Sequence, residues 1–184
     1  MKKYPSPKDI EEMRARGYEA STIEKAEQES KRWHLAQAIE AQIREAFFAV
    51  QLGQGVGLRQ AQGIDGYEEE EELAAYRVSD EKVDWSRIPS SALNECNSSL
   101  SFFDAEGMRF HLPAYLLADL SGSYEFGMAF CLTDIGDLRT EQFALLSPKQ
   151  RDAVRAFLEY ISEEDDYLFD RPNILRALAE YWHQ

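Results

Sequence analysis

The longest run free of glycine and proline, residues 18–52, constrains this chain more than any other feature. Nothing in it breaks a helix. Ser21 and Glu24 stand in the S-x-x-E arrangement of a capping box, where each side chain satisfies the other residue's free backbone amide. The expectation is a helix from there to about Gln51. Its halves differ: "EKAEQESKR" is charged on most faces, whereas Ala36, Ile39, Ile43, Ala46 and Val50 recur at three- and four-residue steps beside Phe47. Only the second half has a stripe worth burying. Residues 1–50 therefore read as a helical arm whose second half packs on the body, and residues 51–184 as the acidic body itself. Trp33, at the transition, is a natural anchor for a partner. A stripe at these steps also suits a helix pair, so residues 20–50 are a candidate surface for homo-oligomers. Upstream, Ser6-Pro7 joins an N-cap to a first-turn proline, and Gly17 closes that short helix.

The glycines of "LGQGVGLRQAQGID" (52–65) invite comparison with a phosphate cradle. Such loops follow a strand and open a helix, so that amides point at the anion. These follow a long helix, lack a Gly-Lys-Ser/Thr end, and place Gly57 one residue early for G-x-G-x-x-G. The stretch reads as a hinge, with Gly53 as the left-handed residue ending the helix and "LRQAQGID" taking a further helical turn or two.

In "YEEEEELAAYR" the glutamates gather near the positive end of a helix. A short helix is expected after Pro89, with Trp85 and Ile88 pinned to the core. "LSFFDAEGMRFHLPAYLLADL" presents two β-like runs, 99–103 and 108–112, around a "DAEG" turn, with Pro113 opening a helix. "YEFGMAFC" (124–131) alternates apolar and small or polar residues as a third strand would. Ser147-Pro148-Lys149-Gln150 starts another helix, whose stripe is Val154, Phe157, Leu158 and Ile161. A last helix begins near Pro172, with Ile174, Leu175, Leu178 and Trp182 facing inward. The expected class is α+β: a mainly helical single domain with a three-stranded antiparallel sheet and a long N-terminal helix.

Charge narrows the function. Residues 1–50 balance nine Lys/Arg against nine Asp/Glu, so the rest of the chain carries all of the net −14. Such a body repels phosphate backbones, which excludes nucleic acid as the expected partner and favours a basic protein. The exposed candidates for that contact are Trp33, Glu69, Glu70 and Glu71. No window has the ~20 apolar residues of a membrane span, and "MKKYPSPKDIEEM" lacks the apolar run of a secretory signal. Cys96 and Cys131 read as buried thiols of a reducing compartment, and the expected location is the cytoplasm. His34, His111 and His183 are too scattered for a metal site, and no cofactor is expected. For catalysis the candidates are His111 as base, Arg109 as anion clamp, and Asp104 or Glu106 as orienting carboxylate. On the expected hairpin they would share a polar face without a cleft.

"GVGLRQAQGID", "DWSRIP", "SLSFFDAEGMRFHLPAYLLADL", "FALLSPKQRDAVRAFLEY" and the terminal "ALAEYW" together resemble an uncharacterised bacterial domain-of-unknown-function family, over roughly residues 40–184. The resemblance implies one coherent domain in a bacterial cytoplasm and brings no activity with it. The expected function is non-enzymatic protein binding, as an accessory or immunity/inhibitor-like protein. The alternatives are a small enzyme or ligand-binding domain around His111, and self-association through the N-terminal helix.

Overall fold

The computed structural model describes residues 4–183. Its helices are α1 (Pro7–Ala15), α2 (Ala20–Ala46), α3 (Leu58–Asp65), α4 (Glu70–Ser79), α5 (Ser90–Glu95), α6 (Ala105–Leu120), α7 (Ala129–Thr133), α8 (Asp137–Gln142), α9 (Pro148–Ser162) and α10 (Arg171–Ala177). Short 3-10 turns occur at Trp85–Arg87, Asn97–Ser101 and Asp165–Tyr167, and a π-helical turn, Leu178–Trp182, follows α10.

No strand occurs among the described residues, so the expected α+β class and its three-stranded sheet are wrong: the fold is all-α. The run 99–103 enters a 3-10 turn, 108–112 lies inside α6, and 124–131 divides between irregular chain and α7. The physical reason is local. Asp104 is an N-cap whose carboxylate accepts the Gly107 amide at 2.8 Å, so "DAEG" opens a helix where a hairpin turn was expected. Pro113 then falls in the third turn of that helix, where it removes one backbone hydrogen bond and does not start the element.

α6 is the axis of the core. Met108, Phe110, Leu112, Tyr115 and Leu116 are fully buried, and they point in every direction around the helix. A helix apolar all round must be surrounded. Here α2, α5, α8, α9 and the Trp85 turn do the surrounding. The Tyr115 hydroxyl, carried into this interior, donates to the Cys96 carbonyl at 2.9 Å.

The helix starts are set by side chains. Ser6 and Ser147 cap α1 and α9 in reciprocal boxes with Asp9 and Gln150, each followed by proline. α2 departs from expectation at both ends. It starts behind Glu19 without a side-chain cap, so Ser21 and Glu24 are already helical. It stops at Ala46, because the Trp85 indole takes the Phe47 carbonyl at 2.9 Å and Ala49 turns left-handed at φ 57°. Gly53 is also left-handed (φ 61°), but it belongs to the following loop.

α1 folds back on the first half of α2, where Ile10, Ala26 and Ser30 are buried and Arg14 pairs with Glu27. The second half lies on α9 and α6 through Ile39, Ile43 and Phe47. Where the halves meet, Arg32 reaches the buried Glu164 carboxylate and donates to the Tyr160 carbonyl at 3.0 Å. The Tyr4 hydroxyl donates to the same carboxylate. In the last helices Ile174, Leu178 and Trp182 face inward as expected, while Leu175 is exposed. No helix of the described residues is long and apolar enough to cross a membrane.

Candidate functional site

The four catalytic candidates lie on or beside the first turns of α6. His111 is fully buried, stacked on Phe103 with centroids 4.4 Å apart. Its Nδ1 lies 2.7 Å from the Gly107 carbonyl, which fixes the proton there, and its Nε2 is buried without a protein partner. Desolvation pushes its pKa down to about 4, only partly opposed by the Gly107 contact and Asp104. The ring is therefore neutral at pH 7 and sealed from any substrate. Asp104 Oδ1 is occupied twice, by the Gly107 amide and by the Val56 amide at 2.9 Å. Glu106 packs against Gly53 and Gly55, and Arg109 is half-buried three residues further along the helix.

The glycine loop binds its own protein. A Cβ on Gly55 would stand 2.5 Å from the Gly107 nitrogen, and one on Gly107 would stand 2.6 Å from the Val56 carbonyl oxygen. Two glycines thus let the loop lie backbone to backbone on α6. The start of α3, where an anion would sit, is filled by the Asp80 carboxylate, which accepts the Arg59 and Gln60 amides at 3.0 and 3.1 Å. Burial raises the Asp80 pKa, and those two amides oppose the rise. Arg77 holds the Gly53 and Gly55 carbonyls. The stretch connects α2 to α3 and is clamped in place, with the cap of α3 supplied from 21 residues away.

Neither thiol is poised to react. Burial raises the Cys96 pKa and pushes Cys131 up to about 11.

One concavity runs along α2. An apolar chamber of about 300 Å³ is lined by the aromatics Tyr4, Trp33 and Tyr160, by Ala36, Leu117 and Leu120, and by the polar Gln37, Glu40, Ser121 and Ser123. A shallower chamber shares Glu40, Leu117 and both serines and reaches Trp85. Trp33, as a partner anchor, and Ala36, as part of the α2 stripe, are the members singled out by sequence. Tyr4, Leu117, Leu120 and Tyr160 come from distant segments and carry no local signal.

A second feature is a group of exposed apolar side chains. Gly127 lies against the Tyr167 hydroxyl, which bonds to Asp119, and α7 packs on α10. Around this junction Phe126 (59 % exposed), Phe130 (70 %), Leu168 (53 %) and Phe169 (92 %) stand in solvent. The flanking segment 159–170, "EYISEEDDYLFD", has six acidic residues and no basic one. Glu69, Glu70 and Glu71 lie elsewhere, exposed at the start of α4 and outside the Trp33 chamber. Beside them Tyr67 is 95 % exposed in a left-handed conformation (φ 55°).

The chain belongs to the Family of unknown function (DUF6714), which it matches over residues 35–184. The match takes in the second half of α2 and everything after it. No curated protein and no solved structure matches the chain.

Proposed function

We propose that this member of a family of unknown function is a non-enzymatic, acidic protein-binding module of the bacterial cytoplasm, an accessory or inhibitor-like partner of a basic protein. One observation carries the reading: four large apolar side chains, Phe126, Phe130, Leu168 and Phe169, are exposed around one junction, beside the segment 159–170, whose Glu159, Glu163, Asp165 and Asp166 are exposed while Glu164 is buried on Arg32. Aromatic groups of this kind supply binding energy, and the acidic field speeds encounter with a cationic surface. A second copy of the chain is a poor occupant, because pairing this face with itself would oppose its carboxylates. The α2 stripe likewise has its cover in cis from α9 and α6. Trp33, Glu69, Glu70 and Glu71 remain candidates for secondary contacts. An enzymatic reading draws no support from His111, whose ring is enclosed.

The test is a pull-down from the native cell with a salt gradient, run with the wild type and a Phe130→Ser/Phe169→Ser variant. The expected result is a basic protein held at low salt by the wild type, released as salt rises, and lost from the variant. Retention of nothing at low salt, or equal retention by the variant, overturns the reading.

A further inference from the structure

The buried Glu164 carboxylate ties the start of the chain to the turn that carries two of the exposed apolar side chains. Its Oε1 takes Arg32, whose Nε donates at 2.9 Å, and its Oε2 takes the Tyr4 hydroxyl. Arg32 also donates to the Tyr160 carbonyl at 3.0 Å and lies over the Tyr160 ring, 4.3 Å from its centroid. Tyr4 and Arg32 both precede residue 35, where the family match begins. We infer that the segment from Tyr4 through the first half of α2 is a regulatory latch on the apolar face. Seated on Glu164, it holds the turn 165–170 in the shape that presents Leu168 and Phe169; unseated, it lets that turn loosen. The inference rests on the partner-binding reading of this face and names how the face is regulated.

The connection is short. The Glu164 amide donates to the Ile161 carbonyl at 3.0 Å, and the Glu164 carbonyl accepts the Tyr167 amide at 3.1 Å. The Leu168 amide then donates to the Asp165 carbonyl at 3.2 Å, and the Asp170 amide to the Tyr167 carbonyl at 3.0 Å. The residue whose side chain the arm holds is therefore the residue on which the 3-10 turn begins. Three residues on, the Tyr167 hydroxyl is fixed to Asp119, and Leu168 and Phe169 follow at once in solvent. With Arg32 drawn away, Glu164 would keep its charge inside the protein with less to offset it. Breaking one side of a buried pair is strongly unfavourable. The local relief is for the corner to open and turn the carboxylate to solvent, which withdraws the first hydrogen bond of the turn. A turn already ordered costs a partner less to bind, so the seated arm favours binding. Such coupling is reciprocal: a partner that orders 165–170 tightens the arm, and one that lifts the arm weakens the face.

Amide hydrogen exchange is measured by NMR on the full chain labelled with ¹⁵N, as wild type, Tyr4→Phe, Arg32→Met and Arg32→Met/Glu164→Gln. In Arg32→Met the Tyr167, Leu168 and Asp170 amides should exchange about tenfold faster. The Arg87 and Ile88 amides, which close the 3-10 turn at Trp85–Arg87, should keep their wild-type rates. Tyr4→Phe, which removes only a hydroxyl, should move the same three amides less. The double variant, with no charge left to bury and an amide oxygen still able to accept from Tyr4, should recover most of the protection. Unchanged rates at 167–170, or equal acceleration of both turns, would reduce the contact to a general prop and overturn the inference. In the pull-down, Arg32→Met should release the basic protein at lower salt than the wild type does; equal retention beside a loosened turn refutes the regulatory role. A wild type that retains nothing ends the partner-binding reading itself, an outcome that exchange in the free protein does not produce.

Discussion

His111 makes stability depend on pH in a way that can be isolated. Its folded-state pKa of about 4 lies below its ordinary 6.5, because protonation would place a charge in the dry interior of α6. Between those values the unfolded chain binds the proton more readily, so stability is complete above pH 6.5 and is lost as pH falls towards 4. Taken to completion the gap is worth about 3 kcal/mol; at pH 5 about 2 kcal/mol of it has gone, and at pH 7.5 almost none. Carboxylates titrate over the same range, so the measurement is a difference. Urea unfolding at pH 7.5 and 5.0 is compared for the wild type and His111→Asn, whose amide nitrogen can still donate to the Gly107 carbonyl. The variant is less stable at both pH values, but its loss between them should be smaller than the wild type's by about 2 kcal/mol. Losses that agree within about 0.5 kcal/mol, or an imidazole that titrates near 6.5 in the folded protein by NMR, would refute the burial assigned to this ring.

Gly55→Ala and Gly107→Ala each push a methyl into backbone, and each should cost about 2 kcal/mol or more in denaturant unfolding. Gly136→Ala, with φ −101° and nothing within 4 Å, should stay within about 0.5 kcal/mol of wild type; equal effects at all three would dispose of the loop-on-helix contact. Arg32→Met removes the guanidinium from the buried Glu164 carboxylate and should cost about 2 kcal/mol, part of it recovered by adding Glu164→Leu. No loss by thermal melting would mean the clasp is idle. Tyr67→Gly releases a left-handed non-glycine residue and should raise stability by about 0.5–1 kcal/mol; a lower midpoint would show that the exposed ring contributes to the fold.

Much of the periphery was legible because its signals are local. Ser6-Pro7 and Ser147-Pro148 state their caps within four residues, and the α9 stripe shows one apolar side against a polar one. The centre misled for a physical reason. α6 is apolar on all sides, so it has no 3.6-residue stripe, and Met108, Phe110 and Leu112 happen to alternate as a half-buried strand would. Ser21 and Glu24 had the spacing of a cap, but α1 packing on the arm lets the helix begin earlier. Asp80 capping α3 and Glu164 holding Tyr4 and Arg32 are long-range contacts that no local pattern announces. Of the chamber, only Trp33 and Ala36 showed in the local pattern.

The enclosure of α6 also governs how the molecule comes apart. A helix clad by four others has no side from which water can enter while its neighbours stay in place, so its amide protons can trade with solvent only when the whole assembly dissolves. Deuterium uptake along 108–118 would then serve as a clock for complete unfolding, while α1, held on one side only, keeps faster time.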